Sequence, residues 1–407
     1  MSEHNMGNLS VLFIMISTVT LRIAESLEVA VLGSGVAGST AARLLADAGV
    51  RVTVFECGRG LGGRTSTRTS REGGRYVFDH GAQYIGSPKT EPFGRALSDW
   101  RAAGFVREWD GRFADAVAGP APGGAAFVPV SPEKNSHLVG YPAMNSISRN
   151  LLHHKNIRVK VQTRACASLD EEGRWVLTSH GDRKALGAFD WLVGSDRLSG
   201  TNNRADLRDA PLSSFKARVE SITSVPTLVL MVVFATHLPL PLDGIRFDEE
   251  SGEFGSLGWA ARDTSKPGRE RDDGRECWVI QSGPQAAKEI IESVDGASFE
   301  DAREQVRERA KELLLVDFLA AFSKLAGNDL ELPEVVSAVG HRWSAAFPVV
   351  PPPADTEREE HESDLEKKFV ACGDYVGDLH GRIEGAYLSG RAAAGTILDV
   401  IGGGELE

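Results

Sequence analysis

Apolar and polar residues change their period several times along this chain. Residues 29–32 form a continuous apolar run, the pattern of a strand buried on both faces. A stretch rich in Ala and Leu follows from Val36, and then a second strand, Arg51–Phe55, ending at Glu56. Strand, helix and strand in that order predict a βαβ unit in a parallel sheet. Further on, an amphipathic helix is expected over residues 95–107, a short helix after 140–146 ending near His153 and His154, a strand at 158–161, alternating residues through 175–178, and one buried strand at 189–193. Alternation over 224–234 reads as a long strand of a mixed sheet. Val306, Ala310, Leu313, Phe318, Ala321 and Leu325 recur at helical spacing, with Gly327 as a stop. Residues 118–126 and 248–274 read as loops, and 348–368 as a polar bridge.

The turn between the first strand and helix carries Gly33, Gly35 and Gly38 in the G-x-G-x-x-G order. Gly33 allows the tight turn, Gly35 lets a pyrophosphate approach the backbone, and Gly38 lets helix and strand pack closely. Val36 and Ala37 open the helix, whose N-terminus offers free N–H groups and positive partial charge to phosphate. Glu56 is placed to accept both hydroxyls of an adenosine ribose, and Cys57 adjoins it. Next come Arg59, Gly60, Gly62, Gly63 and Arg64: glycines that let the chain run close to a pyrophosphate, and arginines that neutralise it. A nicotinamide dehydrogenase has no need of that second loop, so FAD is the expected cofactor.

The order VAVLGSGVAG, E-x-x-R-x-x-GGR, D-x-GAQY resembles the FAD-dependent amine-oxidase superfamily, and within it the renalase-like branch. The far end is similar too, with Cys372-Gly373-Asp374 followed by Glu384-Gly385-Ala386. So are three inner segments: 259–269, 278–280 and 341–343. The resemblance implies a Rossmann-like FAD-binding domain with a second, mixed-sheet α+β substrate domain. The FAD domain is expected from residues 27–90, 141–200 and 365–402, the substrate domain from 91–140 and 201–364, with 1–26 as an extension. It also implies that Gly373 and Asp374 contact the pyrophosphate–ribityl part, that Glu384, Gly385 and Ala386 open a helix aimed at the flavin, and that Ala165 contacts the adenine. Gly81, Ala82, Gln83 and Tyr84 fall where the family places a loop beside the flavin. Gln83 and Tyr84 are therefore substrate-side candidates, as are Arg342, suited to an anionic substrate, and Trp343, suited to a planar ring. No catalytic acid or base is assigned, and His80 is read as structural.

Composition narrows this further. At 407 residues two domains are expected. A net charge of −12 argues against nucleic acid as a partner. Cys57, Cys166, Cys277 and Cys372 are scattered without a C-x-x-C pair, and the histidines lack ligand spacing, so neither disulfides nor a metal site is expected. Cys372 does not occupy the position used for covalent flavin attachment in relatives, which implies a dissociable FAD. Residues 9–21 are apolar but interrupted, and the preceding eight carry Glu3 and no Lys or Arg, so stable membrane insertion is not expected. The compartment stays open between cytoplasm and organelle.

The leading expectation is a renalase-like oxidase that takes a hydride from isomeric dihydronicotinamide dinucleotides and gives the electrons to O2, forming H2O2. An amine oxidase or desaturase-like flavoenzyme, and a non-catalytic binding protein of the same fold, stand as alternatives. The segments 194–196 and 281–284 depart from the relatives' patterns and leave the substrate the least constrained part.

Overall fold

The computed structural model describes residues 26–70, 75–119, 124–131, 137–202, 204–295, 298–326, 331–351 and 361–402. Gly327, the expected helix stop, lies outside them, as do most of the N-terminal extension and residues 352–360 of the polar bridge. The described residues divide into two compact units. One comprises those within Met1–Gly63, Ser148–Thr223 and Pro348–Glu407; the other those within Arg64–Ile147 and Ser224–Phe347.

The first unit is built on a six-stranded sheet with the order Glu362–Asp364, Phe369–Ala371, Trp191–Gly194, Glu28–Leu32, Arg51–Phe55, Ile157–Lys160. Every neighbouring pair is parallel except the edge strand Glu362–Asp364. Parallel sheets need cover on both faces, and the sequence alternates accordingly. Val29, Val31, Val52, Val54, Val193 and Val370 pack against the helices Val36–Asp47 and Ile383–Gly402. Ala30, Leu32, Phe55, Leu192, Phe369 and Ala371 face the other way, onto residues of an antiparallel three-stranded sheet, Ala165–Leu169, Trp175–Ser179 and Ala185–Phe189.

The strand expected over 189–193 is in fact two. Phe189 ends one sheet and Trp191 begins another. Asp190 is the corner: its N–H donates to the Glu28 carbonyl at 2.8 Å, and its carboxylate accepts from the Glu28 N–H at 2.9 Å.

The second unit carries a seven-stranded mixed sheet in the order Val335–Val349, Thr223–Phe234, Glu276–Ser282, Leu257–Arg262, Gly244–Phe247, Phe113–Ala118, Ala125–Pro129. Successive residues again separate. Leu228, Leu230, Val232, Trp278 and Ile280 lie under the helices Pro284–Glu292 and Phe299–Ala326. Val229, Met231, Val233, Cys277 and Val279 form an inner face with Tyr76 and Phe78.

Several expectations change here. The stretch 248–274, read as loop, contains the strand Leu257–Arg262. Residues 95–107 are split: the helix is Glu91–Ala102, and a strand starts at Val106. In the long helix Leu313 is 37% exposed, and Leu314 takes the core position. The described residues of 64–90, and residues 141–147, all expected with the FAD domain, belong to the second unit, where Tyr76 and Phe78 are part of the inner core. The described residues of 201–223, where Phe215 and Val219 pack beside Phe369, and those of 348–364, expected with the substrate domain, join the first.

The helix pair of the first unit depends on a missing side chain. A Cβ on Gly390 would stand 2.2 Å from the Ala37 carbonyl oxygen. Gly390→Ala must push the helices Val36–Asp47 and Ile383–Gly402 apart, and the expected loss, read by urea unfolding, is about 1–3 kcal/mol. An unchanged midpoint would show that the helices yield freely.

Candidate functional site

In the first unit the glycine turn is shaped by what surrounds it. Gly33 has φ +104°, a conformation that side chains resist. A Cβ on Gly38 would lie 2.4 Å from both the Gly33 carbonyl oxygen and Ser195 Oγ. Ser195, one of the residues where the chain departs from its relatives, props this turn by donating to the carbonyls of Leu32 at 2.7 Å and Gly33 at 3.2 Å. Gly35 is the opposite case. Its φ is −64°, it caps the helix Val36–Asp47, and a Cβ there meets nothing within 4 Å. The fold does not require that glycine, whereas a phosphate lying on the helix N-terminus does. Val36 and Ala37 are buried in the first turn of that helix.

Ser34 joins the two glycine loops, and the sequence reading did not single it out. Its N–H and hydroxyl both donate to Glu56 Oε2, at 3.0 and 2.6 Å. Its carbonyl and hydroxyl accept from the Gly62 N–H at 3.2 and 3.3 Å. The other carboxylate oxygen, Oε1, accepts from the Gly58 N–H at 2.6 Å, with the Cys57 thiol at 3.7 Å. A carboxylate has about four acceptor positions. Glu56 therefore has one strong position open on Oε1, not two; a second ribose hydroxyl requires the Ser34 hydroxyl to turn away. Gly63, with φ +53°, approaches the Gly35 Cα. Arg59 is exposed beside this loop, and Ala165 is buried at the start of its strand.

At the far end of the same unit the Gly373 N–H donates to Ser389 Oγ at 2.9 Å, and Asp374 is buried with its carbonyl accepting from the Gly381 N–H. Glu384 is buried in the first turn of the helix Ile383–Gly402, and Ala386 is half-buried. Gly385 is small for a reason internal to the protein: a Cβ there would stand 2.1 Å from the Leu379 carbonyl oxygen. Its size is thus no mark of a flavin ring. Cys372 is fully buried, and burial pushes its thiol up to about 12.

In the second unit the loop 79–84 is held by its carbonyl groups. The Trp343 indole N–H donates to the His80 carbonyl at 2.8 Å, and the Gln281 amide to the Gly81 carbonyl at 2.7 Å. The Ala82 N–H donates to the Arg64 carbonyl at 2.8 Å, and a Cβ on Gly81 would strike that same carbonyl. The Arg64 guanidinium donates to the Ala346 carbonyl at 3.1 Å. Gln83, a substrate-side candidate, is engaged at both ends. Its amide donates to the Asp79 and Gly81 carbonyls, and its oxygen accepts from Lys266 Nζ at 3.3 Å. Only 6% exposed, it serves the loop and is no free contact. Tyr84 stands half-buried in an aromatic cluster, 4.3 Å from the His137 ring and 5.5 Å from the Trp259 ring, centroid to centroid.

Arg342 and Trp343 do not share a face. Neighbours in a strand point to opposite sides. Trp343 and His341 lie on the inner face with His80, at 5.0 and 5.2 Å from one another and 4.8 Å between the imidazoles. Gly340 and Arg342 face the helix Phe299–Ala326, where a Cβ on Gly340 would meet the Arg307 carbonyl. Burial, with Arg303 nearby, lowers the Arg342 guanidinium from its ordinary value. It is therefore not a positive group beside Trp343.

His80 behaves as a core residue. Burial, aided by Arg68, holds it at about 4, and burial, with His80 and Arg68 beside it, holds His341 at about 3. Among the described residues no group of three or more His, Cys, Asp or Glu could hold a metal, and no helix is long and apolar enough to cross a membrane.

Comparisons with known proteins agree with this arrangement. Residues 31–100 match the family model of an NAD(P)-binding Rossmann-like domain. Residues 284–398 match that of flavin containing amine oxidoreductases. These two segments mark an amine-oxidase-type fold, and its cofactor is FAD. An L-amino-acid oxidase from Siganus canaliculatus is 49% identical over 65 residues, which are 16% of this chain and 12% of that protein. The chain thus spans about an eighth of that relative's length. Cyclohexylamine oxidase from Brevibacterium oxydans IH-35A superposes with a TM-score of 0.62 at 14% identity, covering 92% of this chain and 99% of that one. A triple mutant of putrescine oxidase gives 0.63 at 12% identity, covering 92% and 99%. An oxidoreductase from Methanosarcina mazei gives 0.62 at 12%, covering 92% and 100%. At such identities these structures speak for the fold alone.

Two measurements test the site. Gly35→Val should leave the unfolding midpoint unchanged yet weaken FAD binding by about tenfold or more, about 1.4 kcal/mol per decade, in a flavin-fluorescence titration of the apoprotein. Equal affinity would remove the phosphates from this turn. The second concerns pH. Because folding depresses both imidazoles below their ordinary 6.5, the unfolded chain takes up protons first, so stability falls as pH drops from about 6.5 toward 4. His80→Gln should reduce that fall by about 3 kcal/mol, since the depression from 6.5 to about 4 is worth about 1.4 per unit. An unchanged slope would show that His80 does not titrate this way.

Proposed function

We propose that this chain is an FAD-dependent oxidoreductase whose substrate is a small hydride donor with a planar, uncharged ring, the isomeric dihydronicotinamides of the renalase-like reading being the first to test. Ser34, Gly35, Gly38, Glu56 and Gly63 would hold the adenosine and pyrophosphate, with Gly373 and Asp374 toward the ribityl chain. FAD supplies hydride acceptance and onward electron transfer to O2. The helix Ile383–Gly402 would add the positive end of its dipole near the ring.

The observation that carries the substrate reading is the chemistry of the second unit's inner face. Tyr84, His137 and Trp259 form an aromatic surface beside the loop 79–84. Two buried cations there, Lys266 and Arg269, are matched by Asp79 and Asp263. Arg342, expected to meet an anionic substrate, faces the helix side. The reading therefore moves from the phosphates of a dinucleotide to its ring. A donor whose product is an aromatic pyridinium needs no side-chain base, and this agrees with a loop whose histidine is buried and neutral.

Anaerobic bleaching of bound flavin tests the proposal. Uncharged dihydronicotinamide riboside isomers should reduce it at rates within about threefold of the dinucleotides, and Arg342→Ala should change neither rate by more than about twofold, a residue off the contact face losing little transition-state binding. Reduction by cyclohexylamine alone, rising with pH as the free amine forms, would replace this reading with an amine oxidase. A colourless protein that cannot be reconstituted would leave the binding-protein alternative.

A further inference from the structure

One cluster in the second unit buries four charged side chains together: Asp79 and Asp263 at 0% exposure, Lys266 at 1% and Arg269 at 8%. Their formal charges cancel. Lys266 Nζ is 2.7 Å from Asp263 Oδ1 and 3.3 Å from Asp79 Oδ2. Arg269 reaches Asp263 Oδ2 at 2.5 Å, Asp79 Oδ2 at 2.7 Å and the Pro142 carbonyl at 2.5 Å. Asp79 Oδ1 accepts from Thr67 Oγ1 at 2.6 Å and the Met144 N–H at 3.1 Å. An apolar core of equal volume is often as stable as a buried ion-pair set, so stability alone does not explain why these charges are here.

What they attach is informative. Asp79 is the first residue of the loop 79–84, and Gln83 is near its end. Lys266 stands 3.3 Å from both Asp79 Oδ2 and Gln83 Oε1. Within the loop the Gln83 amide returns to the Asp79 and Gly81 carbonyls. Lys266 Nζ donates to Asp79 Oδ2 and Gln83 Oε1 and lies in ion-pair contact with Asp263 Oδ1. At 1% exposure it is enclosed with these three groups.

We propose that Lys266 is a positioning residue, a buried clasp that closes the loop 79–84 through Gln83 and so fixes the ring of Tyr84 against His137 and Trp259. The clasp rests on the functional reading only in that Tyr84 is taken to face the donor. Asp263 orients the ammonium, and Arg269 balances the second carboxylate. Gln83 is an uncharged partner of Lys266, so it can be cut without removing a charge from the ion-pair set.

The test uses FAD-loaded full-length protein carrying Gln83→Met, together with the charge-balanced pair Lys266→Met/Asp263→Asn in case either disturbs folding. The first readout needs no substrate. Hydrogen exchange of the peptide spanning 79–85 should quicken by about tenfold, while the peptide spanning 36–47 keeps its protection, as local opening requires. Unchanged exchange in 79–85 overturns the clasp whatever the enzyme turns over. The second readout is anaerobic flavin reduction by dihydronicotinamide riboside isomers. The limiting rate should fall about tenfold with half-saturation within about threefold, since a displaced contact costs orientation more than affinity. Gln83→Met combined with Tyr84→Ala should lose no more than Tyr84→Ala alone. Additive losses overturn the route through Tyr84. Fast exchange in the variants, with a wild type that no such donor reduces, upholds the clasp and sinks the substrate reading instead.

Discussion

A charge taken out of water must be met by hydrogen bonds on its remaining lone pairs, and in each unit one such requirement ties together the loops described above. In the first unit it is the Glu56 carboxylate, 7% exposed and held by the Ser34 N–H, the Ser34 hydroxyl and the Gly58 N–H. Those bonds fix the end of the second strand to the glycine turn of the first, and through Gly62 to the second loop. In the second unit it is the Asp79, Asp263, Lys266 and Arg269 set. Burial alone would raise Asp79, but Lys266 and then Arg269 outweigh it and hold the carboxyl at about 2. That group therefore stays ionised throughout the range in which the imidazoles of His80 and His341 titrate.

The second constraint is the alternation of strands. In both sheets successive residues serve different cores, so adjacency in sequence is not adjacency in a site. Trp343 and Arg342 are the clearest instance. Trp343 donates to the loop carbonyl of His80, while Arg342 lies under the helix Phe299–Ala326. The same rule puts Gln281 on the inner face, where it holds Gly81, and Trp278 on the helix side, where its indole donates to Glu276 at 2.9 Å. A one-residue slip in either strand would exchange these roles.

Much of the first unit was legible in the sequence because local rules decide it. The turn at Gly33–Gly38 and the strand Arg51–Phe55 follow from spacing alone, and both appear where expected. The break at Asp190 was not legible, because it depends on the N–H of Glu28, 162 residues away. Ser34 was missed although it lies inside the motif, since its role needs Glu56 and Gly62 folded against it. Lys266 and Arg269 were passed over for a related reason. They sit in a segment read as a charged loop, where solvation is the usual fate of such residues, and only the fold brings Asp79 to them. The signal available was their spacing from Asp263: an acidic residue followed at three and six positions by cations, close to a buried strand.

The low identity to solved structures of similar fold also has a physical reading. What the architecture demands is alternation of apolar residues, which many sequences satisfy, and a few places where a Cβ cannot fit. Gly38, Gly81, Gly385 and Gly390 are such places, each closed by a backbone carbonyl at 2.4 Å or less. Backbone cannot move aside as a flexible side chain can, so these positions constrain the chain regardless of substrate. Gly35 differs, because the protein leaves its Cβ direction open. Tyr84 and Trp259 differ in another way, since the contacts shown for them are between rings. The positions closed by backbone thus keep the sheets and helices in place, and sharing them does not by itself fix a substrate.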